Sequence, residues 1–235
     1  MSENIYTDTN SNYLKNNPDW HLSDSKWKAI QVMKMLQKHK LSPQRIVEVG
    51  CGAGEILNQL HENLDSDINF YGYEIAPDAF KLCETRSKKR LEYFNSNPFE
   101  TGNYFDLLLS MDVFEHVEDS YSFVRKCGET STYKMYHIPL ELSVISVWRN
   151  MPIKAYKSVG HLHFYTKDTV IAMLHQCGQT VIDYFYTAAA LEAPGRQLRT
   201  KLINFPRRIL YKVNKDFCVR LFGGYSLLVL TKQNN

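Results

Sequence analysis

The sequence has no pair of cysteines at the spacing of a zinc or redox motif. Five cysteines are spread over 235 residues, and none of them forms a C-x-x-C pair. The spacing therefore indicates neither a zinc site nor a disulfide framework, and it predicts reduced thiols in a cytoplasmic location. The five are Cys51, Cys83, Cys127, Cys177 and Cys218.

Long apolar runs are also missing. The longest candidate, LFGGYSLLVL, begins at Leu221 and includes two glycines, whereas a membrane-spanning helix needs roughly 20 apolar residues. The N-terminal stretch MSENIYTDTNSNYLKNN is polar and has no apolar core of the kind found in signal peptides. We therefore expect no transmembrane segment and no secretion signal. No internal repeat or low-complexity tract is evident.

The composition is that of a globular chain, with 44% hydrophobic and 23% charged residues. A length of 235 residues is enough for one domain with a full core, so we expect a single domain over 1–235 with a flexible arm at 1–20. The formal net charge of +3 is too small to indicate a polyanionic partner by itself.

Apolar runs of strand length alternate with helical patterns over about the first 140 residues. This order predicts an α/β fold, a doubly wound parallel sheet with helices on both faces. We predict strands at 45–49, 68–75, 91–96, 104–111, 133–140, 179–188 and 225–232. We predict helices at 23–39, 54–64, 77–90, 118–129 and 166–178, the last with Thr166 as its N-cap and Gly178 as its end.

Two segments interrupt this scheme, a long connection at 141–165 and a basic stretch at 193–220. Irregular connections often carry function, so both are predicted to be substrate-side insertions. The basic stretch fits either a solvated helix face or a phosphate-binding surface for RNA, a nucleotide-linked sugar or a membrane. Its basic residues are Arg196, Arg199, Lys201, Arg207, Arg208, Lys212, Lys215 and Arg220.

The stretch RIVEVGCGAGEIL places glycines between a predicted strand and a predicted helix. A glycine turn of this kind lets the backbone approach a nucleotide closely. The spacing at Gly50, Gly52 and Gly54 is G-x-G-x-G, and Glu55 stands where a dinucleotide fingerprint has its third glycine. Glu48 and Glu55 both disfavour a pyrophosphate at a helix N-terminus. They favour a ligand that has no phosphate and a positive charge, as S-adenosylmethionine (SAM) does.

Two further strand ends support a SAM site. Glu74 follows the second predicted strand, about 20 residues after the glycines, where a carboxylate can accept both ribose hydroxyls. Ser110, Met111 and Asp112 end the fourth predicted strand, at the same edge of the sheet.

The motifs VEVGCGAGE, YGYEIAP and FDLLLSMDVFEHVED together resemble the class I (Rossmann-like) SAM-dependent methyltransferases. The resemblance is greatest to the group that includes quinone-pathway and other small-molecule methyltransferases. It covers about residues 20–138 and returns in the final strand. It implies a seven-stranded, mostly parallel sheet whose antiparallel last strand lies beside the fifth.

The resemblance also implies roles for individual residues. The glycine loop, with Cys51 and Ala53, would line the methionine half of the cofactor, and Glu48 would orient its amino group. Glu74 would bind the ribose and Ile75 would pack on adenine. The family usually has an acid after the third strand, but this sequence has none there, so an amide is expected in its place. The predicted cofactor-binding residues are Glu48, Gly50, Cys51, Gly52, Gly54, Glu74, Ile75, Asn97, Met111 and Asp112.

Histidines near the strand ends are the candidates for a general base, which is needed if the acceptor is a hydroxyl. We predict His116 as the first choice and His137 as the second, and some enzymes of this type use no base. His161 and His163 share one face if their segment is extended. Because the sequence offers no third ligand, we predict core or lid histidines there and no metal site.

The sequence therefore predicts methyl transfer from SAM to an O or N of a small molecule, for example a glycan or secondary-metabolite precursor. Two alternatives stay open: an RNA methyltransferase that uses 193–220, and a SAM-binding regulator without catalysis. The oligomeric state is not indicated by any pattern.

Overall fold

The computed structural model describes residues 22–188 and 205–234. The predicted arm at 1–20 and the part of the basic stretch at 193–204 lie outside the described residues. The strands are β1 (Arg45–Val49), β2 (Asn69–Tyr73), β3 (Leu91–Phe94), β4 (Phe105–Met111), β5 (Ser131–Leu140), β6 (Gln179–Thr187) and β7 (Tyr225–Gln233). The helices are α1 (Leu22–His39), α2 (Glu55–Asn63), α3 (Pro77–Glu84), α4 (Ser120–Thr130), α5 (Val144–Trp148), α6 (Met151–Val159), α7 (Lys167–Gln176), α8 (Phe205–Val213) and α9 (Lys215–Phe222), with a 3₁₀ turn at Pro98–Glu100.

The strands form one seven-stranded sheet in the order β3-β2-β1-β4-β5-β7-β6. Neighbours from β3 to β5 are parallel, while β7 runs antiparallel to both β5 and β6. The predicted fold class is confirmed, including the position of the last strand beside the fifth.

The central strands are buried on both faces, which explains their continuous apolar sequences. Successive side chains of a strand point to opposite faces. Accordingly, Ile46 belongs to one hydrophobic cluster and Val47 to the other, and in β4 Leu107 and Leu108 divide in the same way. Helix α1 covers the first of these faces through Ala29, Val32, Met35 and Leu36, and α4 and α7 cover the second.

The strand order creates a switch point between β1 and β4, because the chain proceeds outward from β1 in both directions. In open α/β sheets, ligands bind at the carboxyl ends of the strands at such a point. The loops that follow β1, β2 and β4 are therefore placed together, which is where the sequence puts its acids and glycines.

One predicted helix is too long, and one predicted connection contains helices that the sequence did not indicate. The helix predicted at 77–90 ends at Glu84. The Thr85 hydroxyl donates to the Leu82 carbonyl, and the chain then turns through Arg90, at φ +66°, into β3. The connection at 141–165 contains two helices, and Ser143 caps α5 in a reciprocal pair with Ser146. Thr166 caps α7 as predicted.

Across the described residues, no helix is both long enough and apolar enough to cross a bilayer.

Candidate active site

The glycine loop between β1 and α2 has a backbone that favours glycine. Gly50, Gly52 and Gly54 all have positive φ, at +72°, +53° and +77°. A Cβ on Gly50 would lie 2.8 Å from Val113 Cγ2, and one on Gly54 would lie 2.6 Å from Tyr93 Cε1. The backbone conformation therefore favours glycine at all three positions. At Gly50 and Gly54 a side chain would also lack space.

Glu74 holds this loop from the end of β2. One of its carboxylate oxygens accepts the Gly52 N–H at 2.8 Å, and the other accepts the Ala76 N–H, also at 2.8 Å. Burial raises the pKa of Glu74, and these backbone hydrogen bonds oppose the rise. An ionised carboxylate accepts about four hydrogen bonds, so Glu74 retains capacity for two hydroxyl donors.

Glu48 lies in β1 with only 1% of its surface exposed. Its Oε2 has no hydrogen-bond partner among the described residues. Burial raises the pKa of Glu48 well above its usual range, and the nearby Lys28 charge only partly opposes this. A buried carboxylate oxygen without a partner is costly, so this position suits a ligand that brings a cationic donor.

Glu55, in contrast, is directed away from the loop. Its carboxylate pairs with the Arg86 guanidinium at 2.9 Å and accepts from Gln59 at 2.7 Å. Burial raises the pKa of Glu55, but these hydrogen bonds outweigh it and lower the pKa overall. The charge of Glu55 is thus partly compensated, and the exclusion of phosphate rests on Glu48 and Glu74 rather than on Glu55.

Asp112 follows β4 in a left-handed conformation, at φ +59°. One carboxylate oxygen lies 2.7 Å from Lys28 Nζ and the other lies 2.6 Å from His137 Nδ1. Burial would raise the pKa of Asp112, but the charges of His137 and Lys28 outweigh it and hold that pKa well below its usual range. Asp112 is therefore ionised and connects α1 to β5.

His137 is enclosed by this arrangement. Only 3% of its surface is exposed, and its Nε2 lies 2.8 Å from the hydroxyl of Thr187. Both ring nitrogens are thus engaged within the protein. His116, the other predicted base, is only partly buried.

One cavity of about 840 Å³ runs along this edge of the sheet. It contains most of the predicted site residues, but Gly54, which caps α2, and His137 do not line it. The sequence-predicted residues that line it are Glu48, Gly50, Cys51, Gly52, Glu74, Ile75, Asn97, Met111, Asp112 and His116.

Ile75 and Asn97 occupy the part of the cavity near β3. Ile75 is 46% exposed and offers an apolar surface there. The Asn97 side-chain oxygen accepts the Phe99 N–H at 3.1 Å, so it also caps the 3₁₀ turn. Phe99 lines the cavity beside them; the sequence reading missed it, although an aromatic next to the expected acid position was a usable signal.

A second polar group stands farther along the same cavity. Glu115, His116 and His161 all line it, and one donor atom from each lies within 4.8 Å of the others. The rings of His116 and His161 meet edge to face, with centroids 4.6 Å apart. Glu115 is fully buried, and both carboxyl oxygens lack a hydrogen-bond partner among the described residues. Burial and the Asp112 charge raise the pKa of Glu115 well above its usual range.

The segment after α6 brings His161 to this group. The backbone N–H groups of Leu162 and His163 both donate to the Glu115 carbonyl, at 2.8 and 3.1 Å. His161 Nδ1 lies 2.7 Å from the Glu141 carboxylate. An ionised carboxylate only accepts, so Nδ1 of His161 carries a proton.

His163 does not join this group, because its Nε2 lies 2.9 Å from the Val117 carbonyl. The sequence reading paired His161 with His163 on one face; the structure pairs His161 with His116. Alternation within one segment could not reveal a partner 45 residues away.

The two predicted insertions differ in their relation to the cavity. Val159 and His161 of 141–165 line it, whereas no described residue of 205–220 does. Arg207 is occupied within the protein, since its guanidinium lies over the Tyr225 ring, 4.4 Å from the centroid, and donates to the Gly223 carbonyl. Arg196, Arg199 and Lys201 lie outside the described residues.

The sheet order and the reversed β7 are those of the class I, Rossmann-like methyltransferase fold. Residues 47–129 match the family model described as "Methyltransferase domain".

Sequence relatives match a part of the chain. The chain is 30% identical over 91 residues to the ubiquinone biosynthesis O-methyltransferase of Cereibacter sphaeroides (strain ATCC 17025), and it is equally similar to that of Azorhizobium caulinodans. These matches span 36% of this chain and 36% and 35% of the two relatives. The chain therefore matches little more than a third of these relatives' length.

Solved structures agree over nearly the whole fold. The magnesium protoporphyrin IX methyltransferase from Synechocystis PCC 6803 with bound SAH has a TM-score of 0.64 at 11% identity, covering 99% of this chain and 100% of that one. The plantazolicin methyltransferase BpumL, in complex with SAH, has a TM-score of 0.64 at 13% identity, covering 100% and 94%. The N-methyltransferase NodS from Bradyrhizobium japonicum WM9 has 0.60 at 14%, covering 95% and 99%. At these identities the likeness concerns the fold.

Proposed function

We propose that this protein transfers a methyl group from SAM to an oxygen or nitrogen of a small molecule. The observation that carries the proposal is a single cavity lined at one part by Glu48, Glu74 and the glycine loop, and at another by Glu115, His116 and His161. The first part fits the cofactor, and the second offers acid–base groups to an acceptor.

The residues present fit SAM. The buried Glu48 Oε2 without a partner suits its ammonium group, and the remaining capacity of Glu74 suits the two ribose hydroxyls. Ile75 supplies an apolar surface for adenine. The Glu48 and Glu74 carboxylates beside the loop disfavour a ligand with phosphates. When bound, SAM supplies an electrophilic methyl group on a cationic sulfur.

The protein's contribution to transfer is mainly alignment, which alone can account for a large part of a rate enhancement. The Lys28–Asp112–His137 group fixes the loop after β4, which also carries Glu115 and His116. We assign His137 this positioning role, since its ring nitrogens are engaged and it does not line the cavity.

His116 is the residue that accepts a proton from a hydroxyl acceptor. It lines the cavity, and its Nδ1 lies 3.4 Å from the Gly160 carbonyl. The ring of His161, which pairs with Glu141, lies beside it. An amine acceptor that is already neutral needs no such base.

We propose separately that the basic stretch at 193–220 binds a phosphate group of the acceptor. The described basic residues of 205–220 do not line the cavity, and residues 193–204 lie outside the described residues. Strong salt dependence of acceptor binding would support it.

We also propose a cytoplasmic location, which is supported by five cysteines that are all free and buried.

Titration calorimetry tests the cofactor assignment. We expect the full chain to bind SAM and its demethylated product SAH, and to leave NADH unbound. Binding of NADH in preference to SAM would overturn the assignment. A screen of hydroxyl and amine acceptors with methyl-labelled SAM then tests transfer, and SAM binding without transfer to any acceptor would favour a regulator.

A further inference from the structure

Helices α5 and α6 expose an unusual amount of apolar surface. Six large apolar side chains within residues 144–156 are at least 40% exposed, and Trp148 is the extreme at 82%. Helix α6 has no buried residue at all. These side chains form what we call the α5–α6 face: Val144, Val147, Trp148, Met151, Ile153 and Tyr156.

A nine-residue helix with no buried side chain lacks the usual source of helix stability. Isolated helices shorter than about 12 residues are marginal in water, and tertiary packing normally stabilises them. Exposed apolar patches of this kind mark interaction sites. Among the described residues none buries the α5–α6 face, so we treat it as an interaction surface.

The charges around this face indicate the chemistry of that partner. Between Glu141 and Asp168 the sequence contains no acidic residue, but it contains Arg149, Lys154 and Lys157, in addition to Lys167, which pairs with Asp216. At 100° per residue, Ile153 and Tyr156 occupy adjacent positions around α6. Lys157 and then Lys154 come next around the helix, on the other side of Ile153. Apolar and aromatic side chains bordered by basic ones are typical of a helix that lies in a membrane interface.

Helices α8 and α9 also expose apolar and basic side chains, and α9 lies beside α5. The end of α9 approaches α5 so closely that a Cβ on Gly223 would lie 2.5 Å from Ser143 Oγ. Val213 and Phe217 of α8 and α9 are 78% and 53% exposed, and Arg208, Lys212 and Lys215 are exposed nearby in sequence. The single acid among them, Asp216, is already paired with Lys167 at 2.7 Å.

We propose that the α5–α6 face docks onto the surface of an anionic lipid bilayer. Each lysine or arginine near such a surface contributes about 1 kcal/mol of attraction, and the apolar side chains enter the headgroup region. A second copy of the chain fits less well, because a two-fold contact would bring basic residues together with no acid from 142–167 to compensate.

The face also adjoins the cavity. Val159 ends α6 and His161 follows it, and both line the cavity. A docked protein would thus present its cavity near the bilayer, which suits an acceptor dissolved in lipid. This consequence for the acceptor rests on the proposed function, whereas binding to the bilayer does not.

Sedimentation with vesicles tests the proposal on the full chain. We expect binding to phosphatidylcholine vesicles that contain about 30% phosphatidylglycerol, little binding to pure phosphatidylcholine, and loss in about 0.5 M NaCl. The double variant Val147→Ser/Trp148→Ser should weaken binding at least about tenfold. The double variant Lys154→Glu/Lys157→Glu should do the same.

Matched variants separate the face from general effects of hydrophobicity and charge. Tyr104→Ser/Tyr121→Ser changes exposed aromatics elsewhere, and Lys26→Glu/Lys89→Glu changes exposed lysines elsewhere. Both should bind like the wild type. Since all eight positions are exposed, the melting temperatures should agree.

Two results would overturn the proposal. One is an absence of vesicle binding, or binding that the α5–α6 variants and the matched variants reduce equally. The other is a dimer in light scattering that the Val147/Trp148 variant dissociates, which would assign the face to a second copy. SAM binding by calorimetry is independent of both results, so failure here leaves the proposed function standing.

Discussion

The Lys28 ammonium lies 2.7 Å from the Asp112 carboxylate and joins the leading helix to the end of β4. Lys28 is 7% exposed and lines the cavity. Burial lowers the pKa of Lys28, but the Asp112 charge outweighs it and raises the pKa overall. The helix that precedes the sheet is therefore part of the site.

We expect Lys28→Met to destabilise the protein by about 1–3 kcal/mol, because it leaves one Asp112 oxygen without its charged partner. His137 still pairs with Asp112, which limits the loss. The pKa of Asp112 is lowered, so the stabilisation is complete above the usual value of 3.8 and is lost only as the pH falls below it. Urea unfolding at pH 7 measures the effect. Lys26→Met, on the exposed side of the same helix, should unfold like the wild type.

We expect SAM binding to release protons from Glu48. Its raised pKa means that part of the free protein holds a proton there, and a bound ammonium would favour the charged carboxylate. Affinity should therefore increase as the pH rises above the usual 4.5 of a glutamate. Calorimetry near pH 6.5 in two buffers of different ionisation enthalpy measures the proton release. Glu48→Gln should abolish the buffer dependence, and a persistent dependence would exclude Glu48 as its source.

The Gly52 position tests how closely the backbone must approach the cofactor. Gly52→Ala should lower the affinity for SAM at least about tenfold, or 1.4 kcal/mol. Gly102→Ala is the matched control, because Gly102 also has positive φ, at +68°, but a Cβ there meets nothing within 4 Å. Both variants carry a similar backbone penalty of about 1 kcal/mol, so a difference in SAM affinity reports on the loop. Equal affinities would contradict the loop assignment.

Much of this site was predictable from sequence because the fold converts position along the chain into position in space. Strand ends in a parallel sheet meet at one edge, so Glu48, Glu74 and Asp112 could be placed together from three separate motifs. Side-chain direction was not predictable in the same way. Glu55 begins α2 as expected but turns to Arg86, and His137 ends up enclosed by Asp112 and Thr187.

Contacts between distant irregular segments were the least predictable part. His161 reaches His116 because the Glu115 carbonyl accepts two backbone N–H groups from the segment after α6. Such hydrogen bonds follow from tertiary structure and leave no periodic pattern. The helices α5 and α6 were missed for a related reason: their apolar residues are exposed, so they show no stripe directed at a core.

Glu115 should lower the stability of the free protein as the pH rises. Its pKa is raised on folding, so the folded state binds more protons than the unfolded state above pH 4.5, and stability declines as the pH increases through the raised value. Glu115→Gln removes this linkage. We expect the variant to gain stability relative to the wild type by about 1 kcal/mol between pH 5 and pH 8. Glu129→Gln, at an exposed position, should show a constant difference; a constant difference for Glu115→Gln would contradict a raised pKa.

His116 is the group whose loss should separate chemistry from cofactor binding. For a hydroxyl acceptor, His116→Gln should reduce kcat by about 10²–10⁴ and remove the acid limb of the pH profile, while SAM affinity stays within about twofold. His175→Gln, exposed on α7, should leave both unchanged.

Because Glu115, His116 and His161 bring donor atoms within 4.8 Å, a chelator distinguishes two roles for them. Activity that survives EDTA supports acid–base chemistry, whereas activity that EDTA abolishes and a divalent cation restores would assign the three side chains to a metal ion.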